Sequence, residues 1–182
     1  MGLFDKFFNK KPQYDSTNIK VTDLDVGFVF DYNLSTWEVT HAYEYDWGDE
    51  YFTSEFRINN GVETLHLSVD EGDDVAVSVS KKVKIRDFGN AVMEQLLRQQ
   101  EPPLKLDYEG VDYFYERESP GYFNDPARDK ETWEEFIAWE FEDKSGKHLI
   151  TIEQWDEKEF EASVGFIIES YEISNILPAE RN

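Results

Sequence analysis

The feature that most constrains the fold is a regular alternation of large apolar and polar residues in the segment TWEVTHAYEYDW, residues 36–47. The odd-numbered positions carry Trp, Val, His, Tyr, Tyr and Trp, and most even-numbered positions carry polar or charged residues. Successive side chains of an extended chain point to opposite sides, so this period of two predicts one long β-strand with a single buried face. Similar alternation recurs along the chain and predicts a mainly antiparallel β protein.

Turn and helix signals divide the alternating segments. Asn60-Gly61, between two such segments, predicts a hairpin with a type I′ turn. An apolar stripe (Val92, Met93, Leu96 and Leu97) followed by Pro102-Pro103 predicts one helix, over residues 87–101. Residues 119–131, SPGYFNDPARDKE, are rich in turn-forming residues and are predicted to form a long polar loop.

The two halves of the chain resemble each other. Residues 54–79 align without gaps on residues 139–164, and this places Gly61 on Gly146. Two related β-meanders joined by a helix, arranged as a sandwich or as small barrels, are the simplest explanation, although convergent hairpin patterns are the alternative. The predicted organisation is a basic amphipathic segment and linker (1–13), a first β module (14–86), the connecting helix (87–101) and a second β module (102–182).

Composition excludes several functions. The 182 residues include 40 acidic and 18 basic side chains, a net charge of −22, which disfavours a nucleic-acid partner. The chain has no cysteine, which excludes disulfides, thiolate nucleophiles and iron–sulfur clusters. Its three histidines, His41, His66 and His148, are isolated in β-like segments, and His41 and His66 are expected to be hydrogen-bonded structural residues rather than general bases. No metal and no cofactor are predicted.

The first eleven residues, MGLFDKFFNKK, differ from the rest of the chain because they combine apolar and basic side chains. On a helix, the apolar residues at positions 3, 4, 7 and 8 would share one face. Three interpretations remain open: packing on the protein's own surface or on a second subunit, contact with a membrane surface, or disorder. The predicted docking residues are Leu3, Phe4, Lys6, Phe7, Phe8, Lys10 and Lys11.

Acidic clusters occupy residues 46–50, 70–74 and 155–159. All three fall where hairpins are expected to turn, and Asp and Gly are common turn residues. None has the ligand spacing of an EF-hand loop. Solvated turns are the favoured interpretation, and weak cation binding is the alternative.

Aromatic residues make up 16% of the chain and include five tryptophans. Such residues mostly fill the core of a β protein. The alternative is an aromatic-lined cleft for a small molecule or a peptide, predicted at Trp47, Tyr51, Tyr122 and Phe123.

Several segments carry a resemblance to a known family. They are MGLFDKFF at the start, VGFVFDYNLSTWEV (26–39), the Glu-Phe pair that precedes a hairpin and LSV, and NILP (175–178). Across nearly the whole chain, the sequence resembles the bacterial family named domain of unknown function 4178. The resemblance implies a cytoplasmic β protein encoded near phage-shock-type membrane-stress proteins, and it provides no catalytic residues.

These observations predict a non-enzymatic binding or scaffold module, an accessory protein of a bacterial membrane-associated assembly that docks through its N-terminal segment. The expected partner is another protein or a second subunit, and the oligomeric state is left open. The expected location is the cytoplasm, with peripheral contact to the inner membrane face as a further option. The alternative is a small-molecule or peptide binder, or an enzyme, that uses the aromatic cleft.

Overall fold

The predicted alternating segments form β-strands in a computed structural model, which describes residues 14, 15 and 17–178. One α-helix, α1, spans Asn90–Gln99. Short 3₁₀ helices occupy Val21–Asp23, Ile85–Phe88 and Ser170–Glu172. The strands are β1 (Val29–Tyr32), β2 (Ser35–Asp46), β3 (Phe52–Asn59), β4 (Thr64–Glu71), β5 (Val75–Val83), β6 (Lys105–Tyr108), β7 (Val111–Asn124), β8 (Glu134–Asp143), β9 (His148–Asp156), β10 (Glu159–Ile168) and β11 (Ser174–Leu177).

All eleven strands belong to one antiparallel sheet in the order β11-β1-β2-β3-β4-β5-β10-β9-β8-β7-β6. The predicted fold class, mainly β with one helix, is therefore confirmed. The order ascends from β1 to β5 and then descends from β10 to β6, so the two halves of the sequence contribute equivalent series of strands. Whether these halves are related modules stays a prediction.

An additional pairing between β2 and β7 closes eight of the strands, β2 to β5 and β7 to β10, into a ring. The ring has two junctions between the halves of the sequence. At one, β5 and β10 share seven residue pairs, and at the other β2 and β7 share three. At the first junction a Cβ on Gly165 would lie 2.7 Å from the Ser80 Cβ, which requires glycine there. Strands β1, β11 and β6 lie outside the ring.

The outer face of the ring carries two separate hydrophobic cores. The first core lies beneath β1 and β11 and includes the fully buried Phe30, Ile58 and Leu67. The second core lies beneath α1 and β6 and includes the fully buried Leu96 and Phe141. The first core therefore combines elements from both ends of the chain, because β1 is N-terminal and β11 is C-terminal.

In the two longest strands, β2 and β7, the odd-numbered residues lie on one face of the sheet in the first part of the strand and on the other face in the second part. In β2 the register shifts between Val39 and His41, and Val39 packs in the first core whereas Tyr45 packs inside the ring. In β7 the register shifts between Tyr115 and Arg117. A β-bulge inserts one extra residue and so moves every following side chain to the opposite face. The single buried face predicted for residues 36–47 is therefore wrong: the strand serves two different cores.

Three local predictions need correction. The helix is shorter than residues 87–101, because Gly89, with φ of 106°, separates α1 from a 3₁₀ turn. Leu97, placed on its apolar stripe, is 44% exposed. The Asn60-Gly61 hairpin exists, but a four-residue loop joins β3 to β4, and only Gly61 of that pair has a positive φ, so the turn is not type I′.

The long polar loop predicted for residues 119–131 is also wrong in its first half. Residues 119–124 continue β7; residues 119–123 pair with β8, and residues 122–124 pair with β2. Pro120 is accommodated because β7 has a hydrogen-bonded neighbour on only one side at that position. The remaining loop, 125–133, is held by Asn124, whose side-chain amide donates to the carbonyls of Asp129 (2.9 Å) and Thr132 (2.7 Å).

Candidate functional site

The inner face of the ring is polar over much of its surface. Alternate positions of β3, β4 and β5 point inward and carry Glu55, His66, Ser68, Ser78 and Ser80. Their neighbours in sequence point outward into the first core. The polar half of each alternating segment therefore faces an interior space instead of bulk solvent.

This interior space is a cavity of about 560 Å³, to which all eight ring strands contribute lining residues. Its volume lies within the range of about 300–1,000 Å³ that is usual for small-molecule sites. Small hydroxyl side chains leave the space unfilled: Ser68, Ser78, Thr151 and Ser163 all line it.

One wall of the cavity is aromatic. Tyr45 and Trp47 stack with ring centroids 5.8 Å apart, and the Trp47 indole N–H donates to the Thr53 hydroxyl at 2.9 Å. Tyr51, at the open end, donates its hydroxyl to Asp70. Burial and this hydrogen bond raise the pKa of Tyr51 to about 12. Tyr51 therefore stays a neutral hydrogen-bond donor throughout the physiological range of pH.

Behind this wall, a cluster of aromatic rings fills the ring interior. Phe136 and Trp155 stack at 4.9 Å, and Phe123 meets Trp155 edge-on at 5.4 Å. Tyr45 contacts both Phe123 and Phe136. We call Tyr43, Tyr45, Trp47, Phe123, Phe136, Ala138 and Trp155 the inner aromatic cluster. The cluster closes one side of the ring interior and leaves the polar cavity on the other.

The floor of the cavity holds ionisable side chains that are buried and paired. His66 Nδ1 lies 2.8 Å from Glu55 Oε1, and these side chains are 14% and 16% exposed. The Ser68 and Tyr45 hydroxyls both donate to Glu55 at 3.4 Å. Burial raises the pKa of the Glu55 carboxyl, but the hydrogen bond from His66 and the charge of Lys82 outweigh it, so the pKa of Glu55 lies below its ordinary value.

The ionised form of a second floor carboxylate, Glu153, is less well stabilised than that of Glu55. Glu153 lies 3.3 Å from the Lys82 amine, which is closer to Glu161, at 2.6 Å. Burial raises the pKa of Glu153, Lys82 offsets this only in part, and the neighbouring Glu55 raises it further. The Lys82 amine has a raised pKa, because the two glutamates outweigh the effect of burial. The floor is therefore an ionic cluster in which one carboxylate is well stabilised and the other is not.

The predicted aromatic cleft is only partly brought together. Trp47 and Tyr51 line the cavity, whereas Phe123 packs within the inner aromatic cluster and Tyr122 lies on the surface, 47% exposed. A cleft formed by all four residues is therefore not present. The predicted docking residues at positions 3–11 lie outside the described residues.

The histidines and acidic turns are engaged in local hydrogen bonds. Arg57 donates to His41 Nε2 at 3.1 Å, and His66 bonds Glu55. The carboxylates of Asp46 and Asp70 accept backbone N–H groups within their own turns, from Gly48 at 2.8 Å and from Gly72 at 3.0 Å. In residues 14, 15 and 17–178, no group of three or more acidic or histidine side chains is arranged to hold a metal ion.

Sequence reasoning did not single out the floor residues Glu55, Lys82 and Glu153. It predicted His66 as a hydrogen-bonded structural residue, and the structure identifies Glu55 as its partner. Polar positions in an alternating strand normally face solvent, so the pattern alone does not mark these residues. One signal was present: the polar positions of β4, β5, β9 and β10 include many small hydroxyl residues, whereas a solvated face usually carries long charged side chains. A polar face built of serine and threonine is what a water-filled or ligand-filled interior requires.

The fold and its interior define an antiparallel β protein with a polar cavity inside a closed sheet. The chain belongs to the family described as domain of unknown function (DUF4178), whose model matches residues 25–170. It is also similar to a protein of Aquifex aeolicus (strain VF5) described as uncharacterized, with 26% identity over 176 residues that cover 95% of each chain. No solved structure matches the chain. Among the described residues, no helix combines the length and the apolar character needed to cross a bilayer.

Proposed function

We propose that this protein is a non-catalytic binding protein that holds a small molecule in the cavity inside its closed sheet. The observation that carries the proposal is the cavity of about 560 Å³ behind an aromatic wall. Small side chains such as Ser78 and Ser163 leave the ring interior less filled than a closely packed core. Protein interiors contain few voids of this size, and those that persist commonly serve as binding sites.

The arrangement of the floor supports binding rather than catalysis. Ser68, Glu55 and His66 are adjacent, but the carboxylate lies between the hydroxyl and the imidazole and accepts from both. A nucleophilic triad requires the imidazole in the middle, where it removes the proton of the hydroxyl. With Glu55 there instead, the His66 imidazole bonds the carboxylate and not the Ser68 hydroxyl, and this cluster acts as a hydrogen-bonded support.

A variant that fills the cavity tests the proposal. Ser78→Phe would place a phenyl ring in the cavity, and Ser170→Phe would place the same ring on an exposed 3₁₀ turn. The wild-type protein, incubated with the small-molecule fraction of a cell extract, is expected to give a mass adduct in native mass spectrometry. We expect Ser170→Phe to retain the adduct and Ser78→Phe to lose it while keeping the wild-type circular dichroism spectrum. Absence of any wild-type adduct, or its retention in a folded Ser78→Phe variant, contradicts the proposal.

The N-terminal segment supports a second role, as the element that docks the protein on a partner or on a membrane surface. The supporting feature is the change in sequence character after Lys11, from basic and apolar to strongly acidic. In this view the protein is a cytoplasmic accessory module of a membrane-associated assembly. Docking through residues 3–11 and ligand uptake in the ring involve different parts of the chain, so neither depends on the other.

A further inference from the structure

The described residues that line the cavity carry unbalanced charge. They include one guanidinium, that of Arg117, against six carboxylates, those of Glu55, Asp70, Glu118, Glu140, Glu142 and Glu153. The guanidinium is already neutralised, because Arg117 donates two hydrogen bonds to Glu140, at 2.9 and 3.0 Å. The Lys82 amine at the floor is shared between Glu153 and Glu161. The protein's own cations therefore leave much of this negative charge uncompensated.

Three of these carboxylates have no protein counter-ion. Within residues 14, 15 and 17–178, none of Asp70, Glu118 and Glu142 has a basic group within 4.0 Å. Glu118 is exposed, whereas Asp70 and Glu142 are only partly exposed. Burial, Glu116 and Glu140 raise the pKa of Glu142, as burial does for Glu153. Carboxylates that line one cavity without counter-ions favour a cation that enters the cavity.

The aromatic wall supplies the other requirement for an organic cation, and it lies beside these acids, since Tyr51 donates to Asp70 and Tyr45 donates to Glu55. Tyr45, Trp47 and Tyr51 present aromatic rings to the same space. Aromatic faces attract alkylammonium groups and bury the attached carbon chain, whereas an inorganic cation gains little from such a wall. In the described chain no cluster of side chains is suited to a metal ion.

We infer that the ligand of this cavity is a small organic amine, whose ammonium groups pair with the cavity carboxylates and whose carbon skeleton lies against the aromatic wall. This inference rests on the proposed function, because it names the chemical class of the molecule that the cavity holds. Glu142 and Glu153 are the residues expected to bind the ammonium groups, from β8 and β9 respectively.

Isothermal titration calorimetry of the full chain with three probes of the same length tests the inference. The probes are hexane-1,6-diamine, hexane-1,6-diol and hexanedioate, at pH 7 and 0.15 M salt, where diffuse attraction to the acidic surface is screened beyond about 8 Å. We expect the diamine to bind at least about tenfold more tightly than the diol, and the dioate not to bind. Glu142→Gln and Glu153→Gln should each weaken diamine binding about tenfold, and Glu159→Gln, exposed at the start of β10, should leave it unchanged.

The outcomes separate this inference from the proposed function. If the diol or the dioate binds as tightly as the diamine and Ser78→Phe abolishes that binding, the cavity is a ligand site but the amine class is wrong. If the diamine binds equally well to Ser78→Phe, it binds the acidic surface, and the inference is overturned. If no probe binds while wild-type protein still yields a cavity-dependent adduct from extract, the amine class fails and the proposed function stands.

Discussion

Glu55 and Glu153 lie in the same cavity, but their surroundings shift the pKa of the two carboxyl groups in opposite directions. Both point into the ring, and their side chains are 16% and 14% exposed. Glu55 accepts three hydrogen bonds, from Tyr45, His66 and Ser68. Glu153 shares a single amine with a second glutamate. Hydrogen bonds to a carboxylate stabilise its ionised form, whereas burial without enough of them destabilises it.

This contrast predicts opposite effects of the same substitution. Glu55→Gln should lower the free energy of unfolding by about 1–3 kcal/mol at pH 7, because it removes a charge-assisted hydrogen bond. Glu153→Gln should raise it by about 1 kcal/mol, because it removes a buried charge while Lys82 keeps Glu161 as a partner. Urea denaturation of wild type and both variants at pH 7 gives the two differences.

The pH dependence of the two differences also differs. Because the pKa of Glu55 is lowered in the folded protein, its contribution to the free energy of unfolding is complete above the ordinary glutamate pKa of about 4.3. That contribution is lost only as the pH falls further. The destabilisation caused by Glu55→Gln should therefore not shrink between pH 7 and pH 5. The raised pKa of Glu153 means that the folded wild type gains stability by protonation as the pH falls, so the advantage of Glu153→Gln should shrink toward pH 5. Equal pH profiles for both variants would contradict this assignment.

At the scale of elements, the two junctions that close the ring are unequal. The β5–β10 junction has seven residue pairs, and Gly165 allows the strands to approach closely. The β2–β7 junction has three residue pairs and is supported mainly by side chains. The ring centroid of Phe123 lies 5.3 Å from the ring centroids of both Tyr43 and Tyr45. Backbone pairing therefore favours opening at β2–β7.

Hydrogen exchange followed by NMR should report this difference. The amides that donate between β2 and β7, around Tyr45 and Phe123, are expected to exchange at least about tenfold faster than those between β5 and β10, around Ser80 and Phe166. The β5–β10 amides are the matched control, because they form the other junction between the halves of the chain. Slower exchange at β2–β7 would show that side-chain packing outweighs backbone pairing there.

The elements were largely predictable from sequence, but their faces were not. Alternation locates β2 within a residue of its bounds, because extended backbone imposes a period of two whatever the surroundings. The alternation cannot reveal the bulge before His41, because aromatic residues fit both in the first core and inside the ring. The odd-numbered positions therefore look alike on either side of the bulge. The cavity floor was hidden for a related reason: Glu55 and Glu153 occupy positions that would look identical on a solvated strand. Pro120 and Gly121 suggested a loop, and only pairing with β8 makes them part of a strand.

The whole molecule carries a net charge of −22, and its first eleven residues are the exception, with three lysines beside three phenylalanines. This contrast leads to a prediction for the docking role. Full-length protein should sediment with vesicles of mixed phosphatidylcholine and phosphatidylglycerol, and the double variant Phe7→Ser, Phe8→Ser should bind at least about tenfold more weakly, because each buried phenyl ring contributes about 1.5–3 kcal/mol.

Phe52→Ser provides the control for vesicle binding, because Phe52 is 51% exposed and belongs to neither the docking segment nor the cavity lining. It should bind vesicles like the wild type. Equal, negligible sedimentation of all three proteins would remove the membrane version of the docking role and leave docking on a protein partner.

The closed ring has a consequence for how such a molecule can be divided. Its cavity draws one wall from residues 45–80 and the other from residues 117–167, so neither portion alone encloses any space. A polypeptide severed between β5 and β6 would regain the enclosure only by complementation of its two fragments.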